Sequence, residues 1–219
     1  VYPDCDIYIF CVCDDALLPL FKSLRINKNA LILHTSGSIP MSVFGAYVEN
    51  YGVLYPLQTF SKKRVLNFGE VPLCIEASNE SSRAVLLSVA EKLSSQVREI
   101  SSEKRKKLHL AAVFANNFTN HLYGIAGKML EEEGLDFSLL RPLIFETAHK
   151  VMLLSPEEAQ TGPARRSDES ILGMHKALLK NDKKLLTLYS LLTDSIKDSL
   201  VKNEPKTVVE DQQMTLTLW

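Results

Sequence analysis

Short, continuous apolar runs alternate with amphipathic segments through the first part of this chain, and this alternation constrains the fold more than any other feature. Uninterrupted apolar runs are typical of strands buried on both faces of a parallel sheet. Helical spacing of apolar residues between the runs predicts helices at Ala16–Leu24 and Glu80–Leu93. The order predicts an α/β domain with a largely parallel sheet. Its strands are predicted at Ile7–Cys13, Ala30–Leu33, Gly52–Tyr55, Leu73–Ala77 and Gln96–Ile100.

From Ser101 onward the pattern is helical. A long helix is predicted from Ser101 to about Glu133, where Gly134 ends it. Further helices are predicted over 136–154, from Asp168, and over 182–201. The predicted fold class is therefore α/β followed by all-α. The predicted divisions are an α/β region at 1–100, an all-α domain at 101–201, and a polar tail at 202–219 that is mobile or bound to a partner.

The composition argues against two classes of partner. Hydrophobic residues make up 46% of the chain, charged residues 23%, and the formal net charge is -1. We therefore expect neither nucleic acid nor an anionic membrane as a partner. The basic cluster Lys104–Lys107 is interpreted as an exposed first turn of a helix. We find no signal peptide and no membrane span, since the charge-free stretch Leu108–Gly127 contains asparagines and histidines. We expect a cytoplasmic protein.

Three of the four cysteines lie in or near the first predicted strand. Cys11 and Cys13 would share one face of that strand, without a partner pair at metal-ligand spacing. We interpret them as small core residues of a protein in a reducing compartment.

The sequence contains no glycine-rich phosphate loop. None of its nine glycines is spaced as Gly-x-Gly-x-x-Gly after a strand. The pyrophosphate of a dinucleotide normally rests on such a loop and on the helix N-terminus behind it. The sequence starts on what is predicted to be a middle strand, so we expect the first βαβ unit of such a sheet to be missing.

Polar residues follow three of the predicted strands, where an open parallel sheet binds its ligands. In the segment His34–Ser38, an imidazole, hydroxyl groups and a glycine allow hydrogen bonding and close backbone approach to a ligand. A capped turn explains the same residues equally well. Asp14 and Asp15 are interpreted as helix caps rather than as acids. The third segment is Tyr55–Thr59.

The long predicted helix carries a second candidate site. On a helical wheel His109, Asn116 and Asn120 form one polar stripe. Because the segment Leu108–Gly127 has no charge, we expect it to be buried on all sides, with the polar stripe facing a cleft or a partner chain. A hydrogen-bonded seam between helices and a substrate site both remain open. The apolar stripe opposite consists of Leu110, Phe114, Phe118, Leu122, Ile125 and Met129.

The loop 160–168 is the third candidate site. Arg165 and Arg166, next to the turn Gly162–Pro163, could hold a carboxylate or a phosphate. In the other interpretation, which the residues slightly favour, Asp168 caps the following helix and the arginines bridge neighbouring segments.

Three parts of the sequence resemble a family of bacterial proteins, the DUF2520 family. They are His34–Pro40, Tyr55–Ser61, and the stretch from His109 to His121 taken together with Thr161–Asp168. The family is similar to pyrroline-5-carboxylate reductase, ketopantoate reductase and the 6-phosphogluconate dehydrogenase-like enzymes. The resemblance implies a Rossmann-like sheet followed by a helical domain of the 6-phosphogluconate dehydrogenase type.

The resemblance also implies a function. It implies an NAD(P)-dependent oxidoreductase with a small-molecule substrate, NADP or NAD as its cofactor, and a homodimer formed through the helical domain. The residues bordering the cofactor would be Val12, Cys13, Asp14, His34, Thr35, Ser36 and Gly37. Those bordering the substrate would be His109, Asn116, Asn117, Arg166 and Asp168.

One departure from the related enzymes concerns the proton donor. The β-hydroxyacid dehydrogenases use a lysine four residues before an asparagine of the long helix, and Val113 stands four residues before Asn117 here. His109 is the nearest titratable group on that helix and is our candidate proton donor.

A non-catalytic dimeric binding or scaffolding protein is the alternative hypothesis. The missing glycine motif favours it, and we expect the 219 residues alone to bind NADPH weakly or not at all. The polar stripe of the long helix favours the oxidoreductase.

Overall fold

The computed structural model describes residues 4–202, so most of the predicted tail, residues 203–219, lies outside the described residues. These residues form a five-stranded sheet whose strands lie in the order of the sequence. The predicted fold class, an α/β region followed by helices, is confirmed. The strands are β1 (Ile7–Phe10), β2 (Leu31–His34), β3 (Tyr51–Pro56), β4 (Leu73–Ala77) and β5 (Val97–Glu99).

The sheet is parallel except at one junction. Strands β1, β2 and β3 run parallel, β4 pairs with β3 in the antiparallel direction, and β5 is parallel to β4. Parallel neighbours need a crossover, which α1 (Asp14–Ser23) supplies between β1 and β2 and α2 (Glu80–Leu93) supplies between β4 and β5. The connection between β3 and β4 holds a 3-10 turn at Phe68–Glu70 and no α-helix, and β4 runs antiparallel to β3. The connection between β2 and β3 also holds only a 3-10 turn, at Met41–Phe44, although these two strands are parallel.

Apolar side chains cover both faces of the sheet. On one face, Phe10 of β1 packs with Phe21 of α1 and with Phe44, which lies in a 3-10 turn after β2. On the other face, Leu33 of β2 belongs to a cluster with Leu86 of α2. Neighbouring residues of β2 join opposite clusters because side chains alternate along a strand. This packing on both faces holds the carboxyl ends of β1, β2 and β3 in place.

A continuous run of helical turns follows the sheet. It consists of α3 (Ser102–Ala112), a π-helical segment (Val113–Phe118) and α4 (Thr119–Glu132). The predicted long helix is therefore present, but it is not a uniform α-helix. The remaining helices are α5 (Arg141–Lys150), α6 (Pro156–Ala159), α7 (Glu169–Leu178) and α8 (Lys183–Lys202).

The chain forms two compact units, one up to Met129 and one from Leu130. The first contains the sheet, α3 and nearly all of α4. In the second, α7 contacts α8, and the ring of His175 on α7 hydrogen-bonds to the hydroxyl of Tyr189 on α8 at 2.8 Å. The predicted domain boundary near Ile100 marks the change from mixed to purely helical structure, which is not the same as the division into compact units. This boundary remains a prediction.

A buried ion pair fastens α3 to the sheet. Arg105 has no exposed surface, and its guanidinium donates to Glu76 of β4 at 2.7 Å and to the carbonyl of Ile39 at 2.6 Å. Ser102 donates to both carboxylate oxygens of Glu76, through its backbone N–H at 2.8 Å and its hydroxyl at 2.6 Å. The interpretation of 104–107 as an exposed turn is therefore wrong for Arg105, although the lysines beside it are exposed.

We expect Arg105→Met to lower the free energy of unfolding by about 3–5 kcal/mol, because it leaves the Glu76 carboxylate without its buried partner. Arg83→Met is the matched control, since Arg83 makes its ion pairs with Glu80 and Glu99 on the surface, where such pairs contribute little. Urea unfolding followed by circular dichroism measures both. Equal losses in the two variants would contradict the role of Arg105.

Candidate active site

The carboxyl ends of β1, β2 and β3 form one edge of the sheet, because these strands are parallel. The backbone N–H of Thr35 donates to the carbonyl of Phe10 at 3.3 Å, which ties the end of β2 to the end of β1. The segments that follow the three strands therefore leave the sheet on the same side, as the sequence predicted. This is the position at which open parallel sheets bind ligands.

The turn after β2 is closed by its own side chains. The backbone N–H of Ser36 donates to Nδ1 of His34 at 3.2 Å, and the hydroxyl oxygen of Ser36 accepts from the N–H groups of Ser38 and Ile39, both at 3.0 Å. The structure thus contains the capped turn that was one of our two interpretations. Thr35 and Ser36 are half-buried, so the turn keeps surface that a ligand could contact.

His34 is a neutral core histidine. Its side chain is fully buried at the end of β2 and contacts the ring of Phe44. Burial, assisted by the positive charge of Arg105, lowers the pKa of His34 to about 4. The imidazole therefore stays uncharged at neutral pH and accepts the Ser36 hydrogen bond through Nδ1.

His109 lies against the same turn. It is half-buried on α3, and its Nδ1 is 3.1 Å from the hydroxyl of Tyr55 near the end of β3. A Cβ atom at Gly37 would come within 2.5 Å of the same nitrogen, so only glycine permits this approach. The structure thus brings together two of the predicted groups, the 34–37 segment and His109.

The segment after β1 is exposed. Strand β1 ends at Phe10, three residues earlier than predicted, and Cys11, Val12 and Cys13 all lie on the surface. The interpretation of Cys11 and Cys13 as core residues is therefore wrong. The reason is that the apolar run extends over Ile7–Cys13, whereas the strand that enters the core ends at Phe10.

Asp14 and Asp15 begin α1, but neither is its cap. The cap position is occupied by Cys13, and both carboxylates lie in the first turn. Negative charge is favourable there because of the helix dipole. The predicted association with the helix start is thus confirmed, and the predicted capping role is wrong.

Asn116 and Asn117 lie in the π-helical segment and are exposed. Within residues 4–202 neither side chain makes a hydrogen bond, so both remain available to a ligand. A π turn inserts one residue relative to an α-helix and rotates the residues that follow. The stripe of His109, Asn116 and Asn120, which was drawn on a uniform α-helix, therefore does not continue unchanged through this segment.

The apolar stripe of this helix is also exposed in the single chain. Phe114 is 62% exposed and Phe118 50%, and the two rings pack edge to face at 5.0 Å. The expectation that the segment is buried on all sides is wrong for one chain. The other exposed members of the stripe are Leu110, Leu122 and Met129.

Arg166 and Asp168 belong to the second compact unit. Asp168 caps α7, since its carboxylate accepts from the backbone N–H of Ile171 at 3.2 Å. The Arg166 side chain is exposed. Between them Ser167 adopts a positive φ of 52°, which fixes a sharp turn before the helix. The structural interpretation of Asp168 is thus confirmed.

Sequence reasoning missed two residues of this site, Tyr55 and Arg105. Tyr55 was noted only as part of the segment after β3, although its position near the carboxyl end of a buried strand points to that edge. Arg105 was hidden in a lysine cluster, although it precedes His109 by four residues and therefore shares its face of α3. This spacing was the available signal.

The comparisons with known proteins identify the family. The model of DUF2520, a domain of unknown function, matches residues 71–196. The chain belongs to the DUF2520 family, as its resemblance implied. No curated protein matches the chain.

Solved structures share the fold. BF3122 from Bacteroides fragilis, a "putative NADP oxidoreductase", is 46% identical with a TM-score of 0.86, over 90% of this chain and 77% of that chain. Protein TM1727 from Thermotoga maritima is 22% identical with a TM-score of 0.78, over 88% and 78%. An imine reductase from Myxococcus stipitatus in complex with NADP+ is 14% identical with a TM-score of 0.59, over 92% and 76%. At these identities the last two show the fold alone.

The described residues show neither a metal-binding cluster nor a membrane-spanning helix. Residues 4–202 contain no group of three or more histidine, cysteine, aspartate or glutamate side chains that could hold a metal ion. In the same residues, no helix combines the length and the apolar character needed to cross a bilayer.

We expect the buried His34 to make stability depend on pH. Its unfolded form takes up a proton near pH 6.5 and its folded form only near pH 4, so the unfolded state binds more protons between these values. Stability therefore falls as the pH falls through this window, with about 2 kcal/mol lost between about pH 7 and pH 5. Urea unfolding across this range should show a shallower dependence in His34→Gln. An identical pH dependence in the two proteins would contradict the assignment.

Proposed function

We propose that this chain is an NAD(P)-dependent oxidoreductase of a small molecule, with His109 as its proton donor. The observation that carries the proposal is the approach of His109 to Gly37 and Tyr55 at the carboxyl edge of the parallel strands. The 46% identity with BF3122, which is described as a "putative NADP oxidoreductase", supports the cofactor class.

The residues at this edge fit the nicotinamide end of the cofactor. Val12 and Cys13 are exposed beyond β1, and Thr35 and Ser36 are half-buried beyond β2. They offer an apolar surface together with backbone and hydroxyl hydrogen-bonding groups, which suits a flat amide-bearing ring. The exposed Asp14 beside them supplies an acceptor. When bound, the cofactor supplies a hydride.

The groups proposed for the substrate have separate roles. His109 donates the proton that accompanies reduction of a carbonyl or an imine. Asn116 and Asn117, which are exposed and without side-chain partners in the described part of the chain, hydrogen-bond the substrate. Arg166 is exposed and can hold an anionic group, and Asp168 fixes the loop that carries it by capping α7. Such an arrangement positions reactants, which is most of what hydride transfer requires.

A homodimer through the helical domain is part of the proposal. The apolar stripe that includes Phe114 and Phe118 is exposed, and it lies on a helix that carries no charge from Leu108 to Gly127. An exposed stripe of this size is unfavourable in water and is typical of an interface. A second copy presents the same uncharged stripe, so the two can cover each other without burying a charge.

The non-catalytic alternative also has an observation in its favour. The Asp168 side chain caps α7, and the Ser36 hydroxyl closes its own turn. Two of the predicted site residues therefore have structural roles. In that reading the protein is a dimeric binding or scaffolding protein. Measurements of cofactor binding and of turnover distinguish the oxidoreductase from the binding or scaffolding protein.

We expect His109→Gln to lower turnover about 100-fold, because the proton donor is lost while the cofactor contacts remain. The assay uses the protein as its gene encodes it and follows NADPH oxidation at the nicotinamide absorbance with a panel of ketones, keto acids and cyclic imines. His149→Gln, on the exposed surface of α5, is the control and should leave turnover unchanged.

Two results would contradict the oxidoreductase. One is unchanged turnover in His109→Gln, which would remove His109 from the reaction. The other is the absence of NADPH and NADH binding by calorimetry together with no turnover of any compound, which would favour the binding protein.

We expect Phe118→Glu to convert a dimer into a single chain, since it places a charge in the middle of the apolar stripe. Val65→Glu introduces the same charge at a residue that is 98% exposed and should leave the dimer intact. Sedimentation velocity measures the mass of each variant. A monomeric wild-type protein, or a dimeric Phe118→Glu, would contradict the interface.

A further inference from the structure

Residues 4–202 contain two histidine–tyrosine pairs of nearly the same geometry. In the first, the hydroxyl of Tyr55 is 3.1 Å from Nδ1 of His109, and the rings meet edge to face at 6.0 Å. In the second, the hydroxyl of Tyr189 is 2.8 Å from Nδ1 of His175, and the rings meet edge to face at 5.7 Å. Only the first pair lies at the carboxyl edge of the sheet.

The surroundings of His109 distinguish its two ring nitrogens. Nδ1 faces Tyr55 and lies so near Gly37 that no side chain fits between them. Nε2 has no hydrogen-bond partner among the described residues, and the ring is half-buried rather than enclosed. One nitrogen is thus committed to the protein, and the other is left for a ligand.

Tyr55 itself is placed to act through His109 and not on a substrate. It is only 8% exposed, in a cluster with Val53 and Cys74. Burial raises the pKa of Tyr55, so its hydroxyl keeps its proton at neutral pH. A buried hydroxyl needs a partner, and Nδ1 of His109 is the partner that the structure provides.

We propose that Tyr55 is a positioning residue that engages Nδ1 of His109, so that Nε2 is the nitrogen that exchanges a proton with the substrate. The inference rests on the proposed function of His109 and adds a residue that acts through it. In the neutral histidine, Tyr55 donates to Nδ1 and the ring proton is on Nε2. In the imidazolium form, the Tyr55 oxygen accepts from Nδ1–H.

Proton transfer is balanced in this arrangement. The Nε2–H bond of the imidazolium breaks, and an O–H or N–H bond forms on the substrate. The positive charge leaves the ring, which is then briefly the Nδ1–H tautomer with Nδ1 donating to the Tyr55 oxygen. The Nε2–H tautomer, in which Tyr55 donates to Nδ1, is the resting neutral form. Water returns a proton to Nε2 before the next turnover. Tyr55 remains a neutral phenol throughout, which its buried position favours.

The test is the tautomer of His109 in Tyr55→Phe, which removes one hydroxyl and keeps the ring. Long-range proton–nitrogen NMR on histidine-labelled protein near pH 9 should show one Nε2–H tautomer for wild-type His109 and an averaged mixture in Tyr55→Phe. His109→Gln assigns the signal. Tyr189→Phe is the matched control and should change His175 alone.

A second variant perturbs the same contact from the opposite side. Gly37→Ala places a Cβ atom 2.5 Å from Nδ1 and must displace the ring, so it should produce the same change at His109 although Tyr55 is intact. Gly124→Ala, where an added Cβ meets nothing within 4 Å, is its control. An unchanged His109 signal in Tyr55→Phe would overturn the proposal.

Activity separates this inference from the proposed function. In the active protein, Tyr55→Phe should lower kcat about 10-fold, with the KM for NADPH unchanged. A lost tautomer preference with full turnover would overturn the positioning role and leave the oxidoreductase standing. A wild-type protein that neither binds the cofactor nor turns over any compound would overturn the proposed function, and the positioning role of Tyr55 in it, whatever the NMR shows.

Discussion

The buried contact between Arg105 and Glu76 is the interaction on which the candidate site depends. Arg105 bonds to the side chain of a strand and to the carbonyl of Ile39 in the turn after β2, so a single guanidinium joins helix, sheet and turn. Ion pairs buried in this way do not by themselves add much stability, but losing one partner is costly. Although burial raises the pKa of Glu76, hydrogen bonds from Ser102 and Arg105 outweigh it, and the pKa stays below its usual value.

The consequences of that contact reach both histidines of the site. His109 lies one helical turn beyond Arg105 on the same face of α3. Because Arg105 is fixed to the sheet, the position at which His109 contacts Gly37 is fixed as well. The same positive charge, added to burial, helps to keep His34 neutral. One histidine is therefore a structural acceptor inside the turn, and the other faces that turn with one nitrogen still free of any protein partner in residues 4–202.

The sequence predicts those parts of this structure that follow from local patterns. Strand Leu73–Ala77 and helix Glu80–Leu93 occur at the predicted residues, because the apolar run Leu73–Ile75 and a capping Asn79 define them. The antiparallel return after β3 was not predicted, since an apolar run does not indicate the direction of its strand. Burial of Arg105 and exposure of Cys11 and Cys13 were not predicted either, because residue type gives only an average tendency. The π-helical segment likewise gives no periodic signal of its own.

The two histidine–tyrosine pairs show why geometry alone does not define a catalytic group. Their rings and hydrogen bonds are nearly the same, yet His175 joins α7 to α8 within a helical unit, whereas His109 stands at the carboxyl edge of parallel strands. The parallel edge gathers backbone groups at the position where open sheets bind their ligands, and His175 lies at no such edge. A proton donor needs a committed nitrogen and an available one together with a place for the substrate. Among the described pairs, Tyr55 and His109 meet these conditions because the buried Arg105 holds them where the strands end.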